Sequence, residues 1–112
     1  MAAPTVIHEV SNPAATTNTT VYTCPANRRA RVRVRGCAVS AATVRLYIVE
    51  SGGSPDATNA LVYDHVLSTA SNTPAFGGTE PIYMSAGMSV VVYSSSTGLA
   101  CSVNGYEDDA PY

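Results

Sequence analysis

The sequence predicts an all-β fold: an antiparallel two-sheet β-sandwich, jelly-roll-like, built from seven or eight short strands. Three observations predict it. The apolar content is carried mainly by valine, alanine and tyrosine, while lysine and tryptophan are absent, a composition that suits pleated surfaces better than helices. Turn clusters rich in Gly, Pro, Ser and Asn recur along the chain at short intervals. No window keeps apolar residues at helical spacing over three turns, which excludes a βαβ arrangement. A single flat sheet of this composition would leave one apolar face in water, so two packed sheets or a small barrel are required.

The chain has 112 residues, which suits one domain with one modest core. Residues 1–18 read as an N-terminal arm or edge strand, with Thr5 to Val10 as its short alternating run between Pro4 and Pro13. Residues 19–107 form the sandwich. Thr19 to Cys24 and Ala30 to Val39 flank the turn Pro25-Ala26-Asn27 as a hairpin, and Ala42 to Glu50 ends at the turn cluster Ser51-Gly52-Gly53-Ser54-Pro55. Ala60 to Leu67 is a strand and Ser68 to Gly78 a loop. Thr79 to Met84 and Met88 to Ser94 are joined by Ser85-Ala86-Gly87 in a hairpin-like connection, and Leu99 to Tyr106 closes the domain. Residues 108–112 read as an acidic C-terminal tail.

Successive strand side chains face opposite sides, so alternation assigns faces. Ala30, Val32 and Val34 point inward and Arg31, Arg33 and Arg35 outward; Val44, Leu46 and Ile48 point inward and Arg45, Tyr47 and Val49 outward. The expected core is Val32, Val34, Val44, Leu46, Ile48, Val90 and Val92. Val90-Val91-Val92-Tyr93 does not alternate, as expected of a strand covered on both sides by its own fold or a neighbouring subunit.

Formal net charge is −2, yet all six basic residues are arginines and five lie at 28, 29, 31, 33 and 35. The cluster Arg28, Arg29, Arg31, Arg33 and Arg35 is the leading interface candidate, because guanidinium forks match carboxylates well; a solvated strand face is the alternative. Nucleic acid is disfavoured as a partner, since the chain lacks a broad basic field with stacking aromatics. Glu107, Asp108 and Asp109 are candidates for docking a partner or for a solvated terminus, and they lack the spaced ligands and glycine of a calcium loop. No apolar run is long enough to span a bilayer, and no segment has the pattern of an export signal. The sequon Asn18-Thr19-Thr20 has no secretory context.

Three cysteines, Cys24, Cys37 and Cys101, cannot all pair within one chain, and no Cys-x-x-Cys spacing suggests zinc. They read either as small buried residues or as disulfide formers, with Cys24 joined to Cys101 or Cys37 of the same or a neighbouring chain. His8 and His65 are the only histidines. Asp64 and His65 are adjacent on one strand and so face opposite ways, which excludes a side-by-side dyad there. No nucleophile elbow or phosphate loop is present. The residues therefore point to no catalytic, cofactor or metal site.

The stretch Val21-Tyr22-Thr23-Cys24-Pro25-Ala26-Asn27-Arg28-Arg29-Ala30-Arg31-Val32 resembles small structural proteins of tailed-bacteriophage virions. So do Ala42-Thr43-Val44-Arg45-Leu46-Tyr47-Ile48-Val49, Gly53-Ser54-Pro55 with Leu61-Val62-Tyr63-Asp64, the segment from Ala86 to Tyr93 and the closing Cys101 to Glu107. An aliphatic residue usually precedes the Pro-Ala turn in that group, where this chain has Cys24. The resemblance implies a non-enzymatic component of a capsid, neck or tail, with a decoration or cement role favoured. It implies a homo-oligomer, a trimer above all, bound to other virion proteins and assembled in the host cytoplasm. The alternative is a carbohydrate- or cell-surface-binding module of a fibre, stacking sugars on Tyr47, Tyr63 or Tyr83.

Overall fold

The computed structural model describes residues 5–38, 41–67, 74–77, 81–97 and 99–109. Among these residues there is no helix, and nine strands form two antiparallel sheets: β1 Thr5–Ser11, β2 Thr19–Thr23, β3 Arg28–Ala38, β4 Ala42–Val49, β5 Ala60–Leu67, β6 Pro74–Gly77, β7 Ile82–Met84, β8 Ser89–Ser94 and β9 Leu99–Asp109. The first sheet has the order β1-β9-β3-β6, with β7 also on β3; the second has the order β2-β8-β4-β5. Residues 30–32 of β3 pair with β7 and residues 35–37 with β6, so those two short strands share the side of β3 that β9 leaves open.

This order has a simple physical reading. β1 pairs β9, β2 pairs β8, β3 pairs β6 and β7, and β4 pairs β5. The chain is one long antiparallel ribbon, closed at the β4–β5 loop, whose successive rungs alternate between sheets as it rolls up. That is the jelly roll. Only β4 and β5 are consecutive strands paired in one sheet. The turns at Pro25–Arg28 and Ser85–Met88, expected as hairpins, are corners that carry the chain between sheets. Asn27 (φ 63°) and Gly87 (φ +85°) supply the left-handed residues, and the corners join through Cys24 N–H donating to Met88 O at 2.8 Å and Gly87 N–H to Cys24 O at 2.9 Å. A local turn signal marks a reversal without stating which sheet receives the chain.

The core lies between the sheets. Val32 and Val34 of β3 and Leu99, Cys101 and Val103 of β9 meet Tyr22, Val44, Leu46, Val90 and Val92 from the second sheet, with Ile7 and Met84 closing the sides. Six of the seven expected core residues are buried and the seventh, Ile48, is half-buried against them. Gly105 of β9 lies opposite both Ile7 and Val32. A Cβ there would run into the carbonyl oxygen of Arg31, so only glycine permits this approach of β9 to β3.

The non-alternating strand β8 is covered on its second side from within the chain. Tyr47, Val49 and Val91 form a small buried cluster on the outer side of the second sheet, with Ala60 and Tyr93 against it. Tyr47 and Val49 are therefore buried although alternation placed them outward. Pro74–Gly77 falls in the segment expected to be a loop; its proline is tolerated because β6 is an edge strand. The strand β9 continues through Asp108 and Asp109, the first two residues of the expected tail, while residues 110–112 lie outside the described residues.

Candidate functional site

The basic and acidic candidates divide into two groups. Arg28 and Arg29 stand opposite Asp109 and Asp108 in the β3–β9 ladder, and each finds its partner there. Arg29 Nε donates to Asp108 Oδ1 at 2.8 Å. Arg28 lies 2.9 Å from Asp109 Oδ1 and 3.5 Å from Glu107 Oε1, and donates to Thr5 Oγ1 and to the Glu107 carbonyl oxygen, each at 3.0 Å. From the second sheet, the Tyr22 hydroxyl donates to Glu107 Oε2 at 2.7 Å. The side chains of Arg28 and Glu107 retain only 13% and 15% of their exposure. Burial first, and then the hydrogen bond to Glu107, holds the Tyr22 phenol well above its ordinary range. The bond from Arg29 holds the Asp108 carboxyl below its usual value. Arg28, Arg29, Glu107, Asp108 and Asp109 thus form a clip at one end of the sandwich, tying β1, β2, β3 and β9 together, with their charges answered inside the chain.

Arg31, Arg33 and Arg35 are different. They are exposed on the outer face of the first sheet, and no ion pair joins them to a carboxylate among the described residues. Alternate residues of one strand project about 7 Å apart, so these three form a regular cationic ladder. Their cross-strand neighbours on β9 are Tyr106, Asn104 and Ser102, and beyond these stand Val6, His8 and Val10 of β1. On the other side, Tyr83 of β7 faces Arg31, whose guanidinium sits 5.9 Å from the ring centroid. Val6, Val10, Tyr83 and Tyr106 are 61–71% exposed. The face is a shallow, arginine-centred surface with apolar and aromatic borders. Alternation in β3 found the arginines; Val6, Val10 and Tyr106 could not be placed beside them without the β1–β9–β3 order.

A second arginine site was not legible in the sequence. Arg45 on the outer side of the second sheet lies 4.4 Å from the Tyr63 ring centroid and 4.8 Å from that of Tyr93, and its Nε donates to Asp64 Oδ1 at 2.5 Å. Tyr63 meets Tyr47 edge-on. Asp64 reaches Arg45 because a bulge between Val44 and Leu46 sets it in a left-handed conformation (φ 51°). Of the tyrosines expected to stack sugars, Tyr47 is buried, Tyr63 packs against Arg45 and Tyr47, and Tyr83 is the most exposed, with Arg31 over one part of its ring.

Cys24 and Cys101 are free thiols, 1% and 5% exposed. Within the chain, neither a Cys24–Cys101 nor a Cys24–Cys37 bond is present. Cys24 donates weakly to Arg28 O at 3.5 Å, burial raises its thiol pKa, and burial pushes Cys101 up to about 11 against an opposing hydrogen bond with Ser11. The backbone of Cys37 pairs with Ala100; its thiol lies outside the described part of the structure. His8 Nδ1 is 2.6 Å from Asn104 Oδ1, and His65 stands opposite Val44 at the β5 edge. Among the described residues no three of His, Cys, Asp and Glu converge as metal ligands, and no helix is long and apolar enough to cross a membrane. Comparison of the chain with protein-family models, curated proteins and solved structures finds no match.

Proposed function

We propose that the protein is a non-enzymatic structural component of a tailed-bacteriophage virion, assembling with copies of itself and attaching to the capsid, neck or tail, with a decoration or cement role favoured. The observation that carries this reading is the outer face of the first sheet. Three arginines at strand spacing stand exposed without carboxylate partners among the described residues, while the neighbouring Arg28 and Arg29 are neutralised within the chain. Such a ladder suits an acidic protein surface, where each guanidinium can take a carboxylate in fork geometry, and the exposed Val6, Val10, Tyr83 and Tyr106 offer apolar contact beside it. The jelly roll supports the reading by analogy alone, since that fold recurs in viral capsid and lectin domains.

The test is incorporation. Particles produced while tagged chain is supplied are purified and its copies counted by quantitative mass spectrometry. Wild-type chain is expected in fixed stoichiometry, and the variant Arg31→Glu/Arg33→Glu/Arg35→Glu is expected to be excluded while its circular dichroism stays that of the folded domain. Equal incorporation of the variant removes the arginine face from attachment, and absence of the wild-type chain from particles removes the virion reading. The second reading, a glycan-binding module, is favoured by one observation: exposed Tyr83 and Tyr106 flank Arg31 beside Asp108 around a shallow depression. Glycan-array binding abolished by Tyr83→Ala would select it.

A further inference from the structure

A rolled two-sheet sandwich has four lateral edges, and in this protein they are unequal. β5 carries two register breaks and the left-handed Asp64. β2 is five residues long with a break between Thr20 and Tyr22. β6 and β7, which share the third edge, have four and three residues. Short strands and bulges are the ordinary means by which sheet edges are kept from pairing with other chains. The fourth edge, β1, has none of these protections. It is seven residues long, pairs with β9 in unbroken register from Thr5 to Ser11, and contains no proline, lysine or arginine. Among the described residues no hydrogen bond satisfies the backbone groups on its outer side.

The side chains of β1 are symmetric about its centre. His8 is the middle residue of Thr5–Ser11, and the two exposed valines, Val6 and Val10, lie two residues to either side on the same face. An antiparallel pairing of this strand with a second copy, with the two-fold axis at His8, places Val6 of each chain opposite Val10 of the other, Thr5 opposite Ser11 and Ile7 opposite Glu9. Each valine then gains an aliphatic cross-strand neighbour, and Glu9 does not meet its own copy. Registers centred on Val6 or Val10 would set one valine against its own copy but pair only three residues of the strand, and odd-numbered shifts turn the valines to opposite faces. Pro4 and Pro13 flank the strand and confine the pairing to this segment.

We infer that β1 is a self-association edge: two copies of the chain join β1 to β1, antiparallel about His8, to make one sheet continuous across the pair. This deepens the self-association part of the reading above and does not depend on virion attachment. The contact is isologous and closes at two; a trimer of the kind expected from the resemblance would use another surface. The other edges are too short or bulged to continue the sheet, so the pair does not grow into a fibre.

The experiment uses the full chain with Cys37→Ser as background, followed by sedimentation velocity and oxidative cross-linking. Wild type is expected to populate a dimer. His8→Cys is expected to cross-link, since directly opposed residues have Cα atoms about 4.5–5.5 Å apart, within disulfide range. Val6→Cys is expected not to, because in this register its copy lies four residues further along, about 13–14 Å away. Val6→Lys/Val10→Lys, which sets lysines opposite one another at exposed positions, is expected to weaken dimerisation at least tenfold while the domain stays folded by circular dichroism. A strictly monomeric wild type at high concentration overturns the inference together with the self-association reading. A dimer or trimer in which Val6→Cys cross-links as readily as His8→Cys, or which tolerates both lysines, overturns the β1 pairing alone.

Discussion

Tyr22→Phe should expose how much the polar clip contributes to joining the two sheets. Tyr22 comes from the second sheet and Glu107 from the first, and their 2.7 Å bond joins the layers through side chains. Removing the hydroxyl deletes a hydrogen bond to a charged acceptor at a nearly buried site, a loss of about 2 kcal/mol. Glu107→Gln should cost about 2–3 kcal/mol, below the usual figure for breaking a fully buried pair because Arg28 keeps Asp109 at 2.9 Å. The two changes share one bond, so the double variant should be less destabilised than their sum by about 1 kcal/mol. For a domain this size a loss of 2 kcal/mol lowers Tm by roughly 8 °C. Urea unfolding followed by circular dichroism measures all three variants. A second signature lies in pH: the folded phenol titrates above the unfolded value of 10.0, so its contribution is complete below pH 10 and is lost as pH rises above it. Tyr22→Phe should therefore flatten part of the alkaline decline. If the single changes cost less than about 0.5 kcal/mol each, or add within about 0.3 kcal/mol, the clip does not couple the sheets as described.

Gly105→Ala should destabilise by about 3 kcal/mol or more, because the added methyl meets the Arg31 backbone instead of a movable side chain; a melting temperature within a few degrees of wild type would contradict this. Leu46→Ala should cost about 2–5 kcal/mol and Ile48→Ala clearly less, since Leu46 is buried and Ile48 half-buried; equal losses in denaturant titrations would show the packing to be misassigned. Cys24 and Cys101 should resist iodoacetamide at pH 8 in the folded protein and react after unfolding, given their burial and raised thiol pKa values; mass spectrometry showing alkylation of either in the native state would refute it.

The all-β class and the inward residues of β3 and β4 were legible because strand period is a local property, and Val32 and Val44 declare their face through their neighbours. What was hidden is non-local. In sequence Arg28 and Arg29 group with Arg31, Arg33 and Arg35, and only the β3–β9 register, which sets them against Asp109 and Asp108, separates a closed clip from an open ladder. The corner at Pro25–Arg28 imitated a hairpin because the turn chemistry is the same for both. Pro74 and Gly77 concealed β6 by reading as breakers, and Tyr47 and Val49 stand on the outward face that alternation assigned, but are buried there, because strand period does not report what covers a face.

The rolled ribbon also sets the order in which this protein is made. Thr5 pairs with Glu107 and Ser11 with Cys101, so β1 leaves the ribosome well before β9 and must wait for it. At ordinary rates of synthesis that wait is on the order of ten seconds, during which β1 has both of its backbone edges open. Ile7 is its only side chain buried in the finished fold, and Val6 and Val10 stay exposed even there, so the waiting segment carries apolar surface throughout. The tip at β4–β5, whose partners are close in sequence, can form early, and the rungs can then close outward toward the chain ends. Chains that lack β9 would present an unpaired β1 beside an uncovered β3, which makes β9 the gate between a closed domain and an adhesive intermediate.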